Sequence, residues 1–266
     1  EAWEKRGARF GQEHVDTLDS LHRLLEMSVD ARRLEGTIPL AEQLFESSNR
    51  TLGSGHRFSE WAYQYLQQSW QNDPNRLKAL DLQLVGETPW PTDSETITLV
   101  QRGSLWKYQD HGQALAVDWV EPNFEDSGWP QGPAPLGYGE SEIATKVSFG
   151  SDADNKQAAA YFRHGFRLPD GERPNRLRLR VRRDDGVAVY LNGVEVLRHH
   201  LPARSSTTQE TYATAEVGRL EEKLYYVQEI DPALLGSVNL LAAEVHQCNG
   251  GSSDLMFDMA LECQFR

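Results

Sequence analysis

Only two cysteines, Cys248 and Cys263, occur in 266 residues, too few for a disulfide framework or a four-cysteine metal site. Cys263 continues the alternation Leu255, Phe257, Met259, Leu261 and is expected in a core. Cys248 lies just past a strand whose inward set is Leu241, Ala243 and Val245, so a bridge between the two is not favoured. Basic charge is also scarce: 27 Lys and Arg stand against 40 Asp and Glu, a net charge of −13. Without a cationic excess to displace counterions, nucleic acid is excluded as a partner. No apolar run is long enough to span a bilayer, and no charged segment leads into a signal-like apolar stretch, so membrane insertion is not expected. The phosphate loop GxxxxGK(S/T), the GxSxG elbow, the HExxH helix and paired metal-ligand histidines are missing too. His199 and His200 are adjacent, and a regular strand would send them to opposite faces. Asp184, Asp185, Glu244 and Asp258 supply carboxylates of the kind glycoside hydrolysis uses, but nothing in their spacing sets a catalytic separation. A non-enzymatic role is expected.

What is present falls into two parts. Residues 1–80, within a first part that extends to residue 85, show almost no β-type alternation. Segments such as "TLDSLHRLLEMSVDARRL" and "PLAEQLFESSNRTL" space their apolar residues by three and four, the mark of amphipathic helices. "FGQEH" (Phe10 to His14) recurs as "LGSGH" (Leu52 to His56) 42 residues later, a period typical of stacked helical hairpins. Each glycine suits a helix C-cap, and Gly36 falls between the two helices of the repeat. The pattern resembles kinesin-light-chain-type tetratricopeptide repeats, in truncated form. That resemblance implies a protein partner bound through the helices, and a chain that is the carboxy-terminal piece of a longer multidomain protein.

The composition turns Pro-rich and polar near residues 85–95, the expected boundary. From 95 to 266 short alternating strands follow one another: Thr98–Tyr108, Ala159–Leu168, Asn175–Arg182, Val187–Leu191, Val194–His199, Leu224–Ile230, Val238–Gln247 and Leu255–Gln264. About eight such strands with no helical pattern between them predict a mainly β fold, a jelly-roll sandwich. In "RLRLRVRRDDGVAVYLNGVEV", Leu177, Leu179 and Val181 alternate with arginines, which predicts one buried face and one solvated face. Asp184-Asp185-Gly186 reads as a turn, and Asn192-Gly193 as a tight type I′ hairpin.

Five motifs in order, "LWKYQDHG", "WVEPNFEDSGWPQGPAPLGYG", "AAYFRHGFRL", "LRLRVRRDDGVAVYLNGVEVLRHHLP" and "LLAAEVHQCNGGSSDLMFDMAL", resemble the galactose-binding-like jelly-roll domain appended to bacterial phosphoesterases and lamin-tail proteins. The resemblance implies a non-catalytic module with a glycan ligand. A glycan ligand would in turn favour an extracytoplasmic bacterial setting. The competing class is a structural or protein-interaction accessory without a sugar.

A glycan site needs polar groups of both kinds and an aromatic platform. The expected site is the loop rim. Trp129 and Tyr138 come from the long Pro/Gly-rich connection, Asp184 and Asp185 from the turn, and His246, Asn249, Ser253 and Asp254 from "HQCNGGSSD". The resemblance also implies a structural Ca²⁺, for which Asp152 and Asp154 are the first candidate ligands, because Ca²⁺ takes several hard oxygens.

Overall fold

The structure, a computed structural model, describes residues 2–10, 14–30, 37–52, 57–70, 73, 75–76, 90, 95–169, 173–217, 222 and 225–265. The chain forms two compact units. The first contains the described α-helices, and the second, residues 89–217 and 225–266, contains every described strand.

The helices are α1 (Ala2–Phe10), α2 (Val15–Asp30), α3 (Thr37–Leu52) and α4 (Arg57–Ser69). Their three-and-four spacing buries Leu18, Leu21 and Leu25 of α2 against Leu44 and Phe45 of α3 and against Phe58, Ala62 and Leu66 of α4. His14 caps α2: its carbonyl accepts from Thr17 N and Leu18 N, and its Nδ1 accepts from Asp16 N at 3.2 Å. Gly11, Gly36, and Gly53 to His56 of the second copy of the motif lie outside the described residues. So does most of the expected boundary at 85–95.

The second unit is a sandwich of two six-stranded sheets. Its strands are β1 (Thr96–Val100), β2 (Leu105–Gln109), β3 (Gln131–Pro133), β4 (Leu136–Tyr138), β5 (Thr145–Lys146), β6 (Ala159–Arg167), β7 (Arg176–Asp184), β8 (Gly186–Leu191), β9 (Val194–His199), β10 (Tyr226–Ile230), β11 (Val238–His246) and β12 (Leu255–Gln264). One sheet runs β10-β7-β12-β4-β5, with β1 also on β12; the other runs β3-β2-β6-β11-β8-β9. All pairs are antiparallel except β4 with β5. Period-2 alternation turns Leu177, Leu179 and Val181 of β7 and Phe257, Met259, Leu261 and Cys263 of β12 toward Val187, Val189 and Leu191 of β8 and Leu241, Ala243 and Val245 of β11. Phe257 anchors the interior, stacked on Phe162 with centroids 4.3 Å apart and edge-on to Trp106 at 4.9 Å. Cys248 and Cys263 are free thiols.

The expected strand Thr98–Tyr108 is instead two strands, β1 and β2, in different sheets, and two further expectations need correction. The arginine row of β7 is not a solvated face, since Arg178 and Arg182 are buried and Arg180 is half-buried, leaving only Arg176 exposed. Arg178 pairs with Glu229 at 2.7 Å and lies over the Trp90 ring, Arg180 pairs with Glu262 at 2.9 Å, and Arg182 forks onto Glu142. Arg178, Arg180 and Arg182 can be covered because each has a carboxylate within hydrogen-bonding reach. The DDG segment is likewise no hairpin turn. β7 and β8 belong to different sheets, so Asp184-Asp185 is the corner by which the chain crosses between them. Asn192 (φ 52°) and Gly193 (φ 84°) do form the left-handed pair of a type I′ turn between β8 and β9.

Candidate functional site

The loop end brings several expected residues together, but as packing. Asp185 is 3% exposed; its Oδ1 accepts from Val217 N at 2.9 Å and its Oδ2 from Cys248 N at 2.8 Å. Asp184 is buried beside it. Tyr138 is buried as well, its hydroxyl accepting from Gln247 Nε2 at 2.6 Å, so it offers no surface on which a sugar could stack. Burial first, then the nearby carboxylates of Asp184, Asp254 and Asp185, push this phenol up to about 12 although the Gln247 bond opposes them. Gly139 lets the chain approach so closely that a Cβ there would lie 2.5 Å from Asp254 Cβ.

Asn249 and Ser253 are exposed, but they bond within their own loop: Asn249 Oδ1 accepts from Gly251 N, and Ser253 Oγ donates to Asp254 Oδ1 at 2.9 Å. Burial, then the Asp185 carboxylate, pushes the Cys248 thiol up to about 12, which keeps it an unreactive thiol. Asp152 and Asp154 sit in an exposed turn in which Asp152 Oδ1 accepts from Asp154 N. Among the described residues no three of His, Cys, Asp and Glu converge to hold a metal ion, so these two acids have no third side chain of that kind beside them.

Trp129 and His246 belong elsewhere, to the outer face of the β6-β11-β8 sheet. Alternation places Tyr161 and Arg163 of β6, Tyr190 of β8, and Leu240, Ala242, Glu244 and His246 of β11 on this face. A 3-10 turn at Val117–Val120 roofs it, with Trp119 edge-on to Tyr161 at 5.0 Å and to Tyr190 at 5.7 Å. Trp129 is half-buried in this layer and edge-on to Phe124 at 6.1 Å.

Beneath the roof, Glu244 accepts from the Tyr190 hydroxyl at 2.7 Å and faces His246 Nε2 at 3.2 Å. His246 Nδ1 meets Thr211 O at 2.6 Å and must carry a proton there, because a carbonyl only accepts. Burial alone would raise the Glu244 carboxyl, but His246, Tyr190 and Arg198 outweigh it and hold the group below the ordinary carboxylate range. Burial and the Glu244 charge push the Tyr161 and Tyr190 phenols well up.

At the other end of the same face lies an open groove of about 500 Å³. Its floor follows from one residue. Lys107 pairs with Arg163, and two steps further along these antiparallel strands come Leu105 and Gly165; Gly165 in turn pairs with Leu240. With no side chain at 165, the row is open between Leu105 and Leu240. The nearest atom to a Cβ built at Gly165 is Asn239 O at 3.8 Å. Leu105 and Val238 rise from the groove 53% and 52% exposed, although they begin strands whose other apolar residues are mostly covered.

The polar wall is a charge cluster. Asp126 receives Lys107 Nζ at 2.6 Å and Arg163 Nε at 2.7 Å. Arg163, itself buried, spends its other N–H groups on Trp119 O and Glu121 O, which pins the 119–126 loop over the sheet. Burial would raise Asp126, but the bonds from Lys107 and Arg163 lower it below its ordinary value. Gln131, His164, Pro122 and Asn239 also line it, and Trp129 N donates to Asp126 O at 3.1 Å. Such a surface offers donors, acceptors and aliphatic contact to a small amphipathic ligand. Lys107, Gln131 and Gly165 lie within the motifs that carry the resemblance, and Val238 outside them, but none is singled out as a site residue. A glycine inside a nine-residue strand was the one available sign, because strand glycines often mark close approach of another group.

No protein-family model matches the chain. A stretch of 96 residues, 36% of this chain, is 35% identical to an α-L-rhamnosidase of Streptomyces avermitilis, of which it covers 8%. Among solved structures, a β-glucuronidase of Bacteroides uniformis is similar over 64% of this chain and 18% of its own, at 18% identity and a TM-score of 0.42. A β-glucuronidase of Ruminococcus gnavus is similar over 67% of this chain and 30% of its own, at 12% identity and a TM-score of 0.42. The chain thus spans well under a third of the first two of these proteins.

Proposed function

We propose that the β unit, within residues 95–266, is a non-catalytic glycan-recognition module on a galactose-binding-like jelly roll, and that the groove over Gly165 is its site. The helices within residues 1–85 are read as tetratricopeptide-like hairpins that serve a protein partner. The observation that carries the glycan reading is the groove itself: one open depression where exposed aliphatic side chains meet a fixed Lys107–Asp126–Arg163 cluster and the Gln131 amide. The α-L-rhamnosidase likeness adds a link to carbohydrate chemistry.

The non-catalytic part rests on where the carboxylates lie. Asp184, Asp185, Glu244 and Asp258 are all buried. Asp258 accepts from Gly103 N and Met259 N and from the Tyr225 hydroxyl, and so is committed inside the fold. Hydrolysis by paired carboxyls needs both to face the glycosidic bond across an open cleft.

The test is a glycan array probed with the full chain and with Gly165→Leu. That side chain would fill the groove, while the 3.8 Å clearance at the Cβ lets the strand keep its place. The expected result is loss of bound glycans with an unchanged melting temperature. Equal binding by both proteins would move the site elsewhere, and no binding by the wild type would remove the glycan reading.

A further inference from the structure

We propose that the sugar taken by this groove is a 6-deoxyhexose, with its C6 methyl seated above Gly165 between Leu105 and Leu240 and its ring hydroxyls turned toward Lys107, Asp126 and Gln131. The inference rests on the glycan reading and adds the ligand class to it.

The lining divides by chemistry along its length. At the Gly165 end the walls are Leu105, Leu240 and Val238, branched aliphatic groups that leave a gap one side chain wide. Among the described lining residues there is no Trp, Tyr or Phe, and the one ring, the His164 imidazole, is held by Leu105 O and packs on Trp106, so the broad flat platform that stacks on the apolar face of an ordinary hexose is not supplied there. A compact apolar substituent suits such a gap, and on a hexose that substituent is a methyl at C6. A hydroxymethyl in the same place would bring a hydroxyl between leucines at the cost of its water, and the polar side chains beside this end are already engaged, Asn239 with Gly236 and Asn192 and His164 Nδ1 with Leu105 O.

At the other end Lys107 Nζ spends one N–H on Asp126 and keeps others for a ligand, while Asp126 accepts from two cations and still presents lone pairs. The Gln131 amide offers both a donor and an acceptor. An ammonium and a carboxylate held 2.6 Å apart match the paired donor and acceptor character of vicinal hydroxyls.

The experiment is calorimetric titration of the full chain with matched pairs: 6-deoxy-L-mannose against L-mannose, and 6-deoxy-L-galactose against L-galactose. Members of each pair differ only in one oxygen at C6. At least about a fivefold preference for the deoxy member is expected in the pair whose ring hydroxyls fit, the scale of one buried methyl together with one misplaced hydroxyl. In Val238→Thr, which puts a hydroxyl on the apolar wall at an exposed position, the preference should shrink to about twofold or less.

Equal affinities within both pairs, or preferred binding of a hexuronic acid, would overturn the deoxyhexose assignment while leaving glycan recognition in place. Failure of every sugar on the array and in the titration would overturn both.

Discussion

Asp185 binds two backbone N–H groups, from Val217 and Cys248, at a corner where the chain leaves one sheet for the other. Removing that carboxylate would leave two buried donors without an acceptor. Asp185→Ala should therefore cost on the order of 2 to 5 kcal/mol in urea unfolding. A variant of unchanged stability that had lost its ligand would instead make Asp185 a binding residue. Residue type was legible in the sequence here, and environment was not. A motif of two acids and a glycine is the same string whether its carboxylates face solvent or cap the chain's own backbone. The β7 arginines follow the same logic, because alternation gives their side of the sheet while only their partners, Glu229, Glu262 and Glu142, decide that this side is covered. Gly165 is the converse case, a residue that says little in a sequence and shapes the floor of a groove once Leu105 and Leu240 flank it.

Among the elements, long strands were the most readable. β6, β7, β11 and β12 run nine or ten residues with clean alternation, and the sequence locates each within two residues of its ends. β3, β4 and β5 have only three, three and two residues, too short to show a period. They lie inside what reads as one long loop, and they bury Tyr138 rather than present it. The strap of residues 200–213 has no pattern at all. It is tied to the sheet through Arg198 Nη1 to Pro202 O at 3.0 Å and through His246 to Thr211 O. Its anchorage carries a pH dependence, because Glu244 lies on the same network and its carboxyl is depressed below 4.5 in the fold. A depressed carboxyl contributes stability that is complete above the unfolded chain's value and is lost as pH falls through the folded one. The melting temperature should accordingly drop on acidification from about pH 5 to about pH 3. Glu244→Gln should show a shallower drop over that window, retaining the share due to Asp126, which is also depressed. An identical acid limb in the two proteins would mean that Glu244 is not ionised against His246 and Arg198.

At the scale of the whole molecule, composition and charge set the exclusions, and periodicity set the split into helices and sheets. The candidate groove draws on β2, β3, β6, β11 and the 119–126 loop, five segments whose meeting depends on the order β3-β2-β6-β11. Strand order is a tertiary fact with no short-range signal, so a loop rim assembled from nearby aromatic and acidic residues was the natural expectation, and a groove on a sheet face was not. The most direct measurement is backbone amide chemical-shift mapping of the full chain titrated with its best glycan from the array. The account predicts that the largest shifts centre on Leu105, Lys107, Gln131, Gly165 and Val238, with the loop Asn249 to Asp254 and the helices α1 to α4 unchanged. Shifts concentrated at Asn249, Ser253 and Asp254 with a quiet groove would contradict it.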